Sequence, residues 1–152
     1  LRMISTVQKT ITDLERIGDE AKKIAKTAKQ LHTTGSNFTP QIRLAHIATA
    51  VVDMLRTSLD AYARLDTISA AQVVRQDKEV DAEFKGIMRQ LITYMMEDPR
   101  TISQSIELMF VAKSVERIGD HAKNIAEYVV YMVKGRDVRH TSLEEIEREA
   151  TR

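Results

Sequence analysis

A stretch of twelve residues, Glu15 to Lys26, returns from Glu116 to Glu127 with nine positions unchanged, at an offset of 101 residues. Both copies read Glu-Arg-Ile-Gly-Asp-x-Ala-Lys-x-Ile-Ala. An offset of that size is too long for a small solenoid repeat and suits two copies of a helical module. In each copy a Glu and an Asp stand four residues apart, on one face of a helix, where like charges cost roughly 0.2–0.5 kcal/mol. Each copy also holds a mid-helix glycine, costing about 1 kcal/mol against alanine. A locally poor choice made twice points to a need for it, and a carboxylate-lined cation site supplies one.

Composition narrows the fold. The chain has 152 residues, 43% of them apolar, with 5 Gly, 2 Pro and 5% aromatics. That is long enough for one domain with a real core, and the wealth of Ala, Ile, Lys and Glu predicts an all-α protein. Cysteine is absent, which removes disulfides, thiolate catalysis and zinc–thiolate sites. The net charge of +1 carries no nucleic-acid footprint, which needs clustered basic residues. No apolar run approaches the 18 or so residues of a membrane span, and no signal peptide is visible, so a cytoplasmic protein is expected.

Four long helices account for nearly everything. The first runs from the start to about His32, with Gly35-Ser36-Asn37 as its stop. Thr39-Pro40 opens the second, whose expected core seam is Ala45, Ala48, Val52, Leu55, Leu59 and Tyr62. Asp66-Thr67-Ile68 reads as a connection, with Ser69 capping the third helix. Asp98-Pro99 starts the fourth and Gly135 ends it. Ser142 with Glu145 three residues on predicts a capped short helix in the tail. Short connections between long helices make an antiparallel bundle.

The third helix adds a second acidic pair. Its seam reads Ala70, Val74, Asp77, Asp81, Phe84, Met88, Leu91 and Met95, placing two aspartates in line with core residues. Carboxylates there need solvent or a cation. If helices three and four are antiparallel, Asp77 and Asp81 fall at the height of Glu116 and Asp120, and four carboxylates converge. Oxygen donors of this kind suit hard cations such as magnesium, manganese, calcium or iron. The Glu-x-x-His steps of di-iron oxidase bundles are missing. On the fourth helix Glu116 and Asp120 lie off the seam Val111, Val115, Ile118, Ala122, on a flank continued by Lys123 and Glu127. The bland alternative is therefore a solvated, salt-bridged face. His121 points about 100° from Asp120 and reads as a surface or packing residue. Phosphate-binding glycine loops, His-Glu-x-x-His and Gly-x-Ser-x-Gly are all absent.

At the doubled motif the sequence resembles the PhoU family of phosphate-signalling regulators. Glu15/Asp19 and Glu116/Asp120 match the acidic motif that the family carries in each of two three-helix repeats, and Asp77/Asp81 match a further acidic pair. The resemblance implies that residues 1–34 are the third helix of a first repeat, 40–135 a complete second repeat and 136–152 a tail, with two helices of the first repeat missing. It implies a metal-binding, non-enzymatic cytoplasmic negative regulator acting between the phosphate ABC transporter, through its ATPase subunit, and a sensor histidine kinase. The expected metal residues are Glu15, Asp19, Asp77, Asp81, Glu116 and Asp120, and the expected cofactor is a divalent or trivalent ion (magnesium, manganese, iron or zinc). A competing reading is a phosphohydrolase using a carboxylate-bound metal pair, with Arg16 and Arg117 as phosphate clamps. On the first helix Val7, Leu14, Ile17, Ala21, Ile24, Ala28 and Leu31 form an apolar stripe, expected to be uncovered and to drive homodimerisation.

Overall fold

The computed structural model describes residues 1–33, 44–135 and 142–151. Within them the chain is an all-α antiparallel bundle. Its helices are α1 (Arg2–Thr33), α2 (Leu44–Arg64), α3 (Thr67–Glu97), α4 (Ile102–Lys134) and α5 (Leu143–Thr151), with a 3₁₀ turn at Pro99–Thr101. The expected stop at Gly35-Ser36-Asn37 and start at Thr39-Pro40 fall outside the described residues. No helix among the described residues is long and apolar enough to cross a membrane.

The ends of the helices are set by local chemistry. Asp66, not Ser69, caps α3: its carboxylate accepts from the Ile68 and Ser69 amides, and the Ser69 hydroxyl donates to it at 2.8 Å. An ionised acceptor beside the positive helix end outcompetes a hydroxyl. Asp98 accepts from the Arg100 amide and launches the 3₁₀ turn. Gly135 closes α4 with φ 75°, a left-handed conformation that suits glycine. Ser142 Oγ accepts from the Glu145 amide at 3.3 Å, as expected for the start of α5.

Helices α2, α3 and α4 share one core, centred on Ile47, Val51, Met54, Val73, Val80, Leu91, Ala122, Ala126 and Val129. The face of α2 turned inward is Ile47, Val51, Met54, Ser58 and Ala61, about one residue around the helix from the expected seam. Val52 and Leu59 are exposed. Apolar residues surround α2 on most sides, and Ser58 tolerates burial because its hydroxyl donates to Leu55 O at 2.8 Å. Helix α5 closes one end through Leu143, Ile146 and Ala150. It is pinned by Thr67 Oγ1 donating to Ala150 O at 2.8 Å and by an Arg75–Glu147 pair.

Helix α1 packs on α4 alone among the described residues. The two run antiparallel: Arg2 reaches Met132 O, Asp13 meets His121 and Glu20 meets Arg117. The buried face of α1 is Thr6, Thr10, Asp13, Ile17 and Glu20. Ile17 is thus covered, and Ile24 packs partly against the core, which corrects part of the expected open stripe. The large apolar residues left exposed on α1 are Met3, Ile4, Val7, Ile11 and Leu14, and Ala21 and Ala28 of the expected stripe are exposed as well.

The paired glycines diverge in the same way. A Cβ at Gly119 would lie 3.4 Å from Val51 Cγ2 and 3.8 Å from Asp77 Oδ1, whereas one at Gly18 would meet nothing within 4 Å. Gly119 therefore lies where α2 and α3 pack on α4, with room for a methyl group and nothing larger. Gly119→Leu is expected to lower stability by about 1–3 kcal/mol through overpacking. Gly18→Ala should raise it by roughly 1 kcal/mol, the propensity gain alone. Urea unfolding of the two variants checks both signs.

Candidate metal centre

Asp77 sits on the buried face of α3, only 3% exposed, with core valines a turn to either side. Antiparallel packing of α3 on α4 brings Asp120 to the same height. Oxygen atoms of Asp77, Asp81 and Asp120 lie within 4.8 Å of one another. Asp77 Oδ1 is buried without a hydrogen-bond partner. The bare α-carbon of Gly119 leaves the space beside that oxygen open. A buried carboxylate oxygen left unpaired costs about 1–3 kcal/mol or more, so Asp77 is a destabilising residue in the absence of a ligand.

The electrostatics agree. Burial pushes the Asp77 carboxyl up to about 7, the neighbouring Asp81 adds to the shift, Lys123 opposes it, and Asp120 and Glu116 raise it further. Asp81 is raised by burial and then by Glu116. Asp120 is exposed along the helix surface, yet protein mass around its carboxyl group, then Glu116 and Asp81, raise it too. Glu116 stands at the edge of the group, its Oε1 held by Lys113 Nζ at 2.7 Å. Four carboxylates thus share one field, three of them with oxygens in mutual reach.

Glu15 and Asp19 take a different place. Both are exposed on α1, and among the described residues they join no group with metal-ligand spacing. Asp19 lines a cleft of about 440 Å³ between the two motif copies, with Arg16, Glu20, Lys23, Arg117, Asp120 and His121.

Three buried acids escaped the sequence reading. Asp13 is 5% exposed, its Oδ1 2.7 Å from His121 Nδ1, and Asn124 Nδ2 donates to the same oxygen at 3.2 Å. Glu20 is 7% exposed, and the Arg117 guanidinium lies 3.6 Å away. Burial alone would raise Glu20, but the Ser114 hydroxyl, Lys23 and Arg117 outweigh it and hold its carboxyl below the usual range. Glu127, expected on a solvated flank, is 2% exposed. The available signal for the first two was a spacing of three and four along α1, Thr6, Thr10, Asp13, Ile17, Glu20, which continues as an interface once polar residues are allowed on it.

Residues 44–129 match the family model described as PhoU domain. The chain belongs to the PhoU family. It is 48% identical over 149 residues to the phosphate-specific transport system accessory protein PhoU homolog of Pseudomonas aeruginosa, covering 98% of this chain and 62% of that protein. The Escherichia coli K12 accessory protein PhoU is 45% identical over 149 residues, 97% of this chain and 61% of the relative. The crystal structure of PhoU from Pseudomonas aeruginosa superposes with a TM-score of 0.86 at 48% identity, over 90% of this chain and 65% of that one. The chain thus spans less than two thirds of the length of these PhoU relatives.

The raised Asp77 carboxyl sets a pH dependence. Between the ordinary value of 3.8 and about 7 the folded state holds a proton that the unfolded chain has released, so stability falls as pH rises through that window. In chelator at pH 8, Asp77→Asn is expected to stabilise the protein by about 1–3 kcal/mol, with a smaller gain at pH 4. Thermal unfolding at the two pH values reads both.

Proposed function

We propose that this chain binds a divalent or trivalent cation (magnesium, manganese, iron or zinc) through Asp77, Asp81 and Asp120, with Glu116 completing the set. The observation that carries the reading is the Asp77 carboxylate, 97% of its residue's surface removed from water and Oδ1 without a hydrogen-bond partner, with one of its oxygens within 4.8 Å of oxygens of two further carboxylates. A cation neutralises this charge and turns a destabilising group into a stabilising one. All donors are oxygens, which suits hard ions. Glu15 and Asp19 repeat the spacing on α1, and we propose for them a second, solvent-exposed cation site. With two carboxylates from one helix it is the weaker of the two.

The role is regulation of phosphate transport, because the relatives named above are accessory proteins of a phosphate-specific transport system. In this reading the protein works on the cytoplasmic side, contacting the ATPase subunit of the phosphate ABC transporter and a phosphate-sensing histidine kinase, and restrains the starvation response. The phosphohydrolase alternative has little support, since Arg117, one of its two clamp residues, is paired with Glu20. The partner of the open α1 face is a second copy of the chain. Met3, Ile4, Val7, Ile11 and Leu14 form an exposed apolar strip along one side of that helix, more than a soluble monomer commonly shows in one place.

Titration with Mn²⁺ tests the site. Asp77→Ala and Asp120→Asn should each weaken binding at least about tenfold, or ~1.4 kcal/mol. The double variant should lose less than the sum, because both remove ligands of one ion. Additive losses would mean separate sites, and unchanged affinity would leave only a charged surface. Sedimentation equilibrium tests the assembly: a dimer is expected at micromolar concentration, dissociated by Leu14→Glu with Ile11→Glu.

A further inference from the structure

We infer that Lys123 is the internal counter-ion of the carboxylate group: its ammonium stands in for the cation in the metal-free protein and withdraws to Glu127 when a cation binds. This rests on the metal reading proposed above and deepens it. Lys123 Nζ lies 3.8 Å from Asp77 Oδ2 and 3.8 Å from Glu127 Oε1. Among the described residues it makes the one ion pair to Asp77, Asp81 or Asp120. It favours the charged form of all three.

The geometry has two stations. Lys123 stands at ion-pair distance from Oδ2 of Asp77, beyond hydrogen-bond reach, and leaves Oδ1 without a partner, so the lysine neutralises the site incompletely and a multivalent ion can outbid it. An ammonium and a metal ion a few ångströms apart in a partly desolvated pocket repel strongly, and both cannot stay. Glu127, one turn further along α4 and 2% exposed, already stands at ion-pair distance from the ammonium. Lysine's four-carbon stem lets the head swing between them while the helix stays still. Lys113 has no such choice. It is 2.7 Å from Glu116 Oε1 and stacked 5.3 Å over the Phe84 ring, at the rim. The device raises the cation concentration needed for occupancy and keeps the bundle folded below it.

The test compares Mn²⁺ affinity by calorimetry, and thermal unfolding in chelator, for the unaltered protein, Lys123→Met and Lys113→Met. Lys123→Met should bind Mn²⁺ at least tenfold more tightly, melt lower in chelator and gain more from added Mn²⁺. Lys113→Met should change affinity by a smaller factor. Should burial of Glu127 beside Met unfold the single variant, Lys123→Met with Glu127→Gln removes that charge and should show the same tightening. Equal or weaker binding by Lys123→Met, or equal shifts from both lysines, overturns the inference. If the unaltered protein binds Mn²⁺ and Asp77→Asn abolishes binding while Lys123→Met changes nothing, only the counter-ion role fails. If none of the proteins binds Mn²⁺ at millimolar concentration, the metal reading fails with it.

Discussion

Asp77 faces Gly119 where α3 crosses α4, and most of what is particular to this bundle follows from that juxtaposition. A carboxylate 3% exposed beside valines is affordable only if something answers its charge. The helices are close there: a Cβ at residue 119 would already sit in van der Waals contact with Val51 and Val80, leaving no room for a larger side chain. The same missing side chain leaves the Asp77 oxygen unobstructed. One residue thus borders both the packed core and the site, and a side chain larger than alanine would crowd both.

The two motif copies pack against each other as an approximate two-fold pair. Residue 13 of α1 meets residue 121 of α4, and residue 20 meets residues 114 and 117; adding the repeat offset of 101 to 13 and 20 gives 114 and 121. Such symmetry would place like residues in equivalent surroundings, so departures from the repeat carry information. Two of the three differences within the twelve residues, Glu20 against His121 and Lys23 against Asn124, fall on this interface. A glutamate at 121 would set a second carboxylate against buried Asp13. Histidine there, with Asn124, satisfies it instead. The two copies then place their Glu-x-x-x-Asp differently: Glu116 and Asp120 beside the acids of α3, Glu15 in solvent and Asp19 at the cleft between the copies.

Much of the fold was legible because long helices with few glycines and prolines leave little choice, and because Asp98-Pro99, Gly135 and Ser142 are strong end signals. The convergence of Asp77, Asp81 and Asp120 was legible for a similar reason: two aspartates in an apolar seam must meet something, and antiparallel packing fixes where. The inward face of α2 was not, since Val51 and Val52 are equally apolar and a serine at 58 hides among core positions. Nor was the burial of Asp13, Glu20 and Glu127. Charged residues become interior only through partners on other helices; the spacing of Thr6, Thr10, Asp13, Ile17 and Glu20 marks a face of α1 but does not say what meets it. The role of Ser69 was misread because an aspartate three residues earlier is the stronger cap.

The central claim is that the three aspartates of α3 and α4 form one cation site around the orphan Asp77 oxygen. Crystals grown with Mn²⁺ and measured near the manganese absorption edge address it most directly. The account predicts one strong anomalous peak within coordination distance of an Asp77 carboxylate oxygen, with oxygens of Asp81 and Asp120 also in the coordination shell. A peak that avoids Asp77, or no peak on these residues in Mn²⁺-saturated crystals, would contradict it.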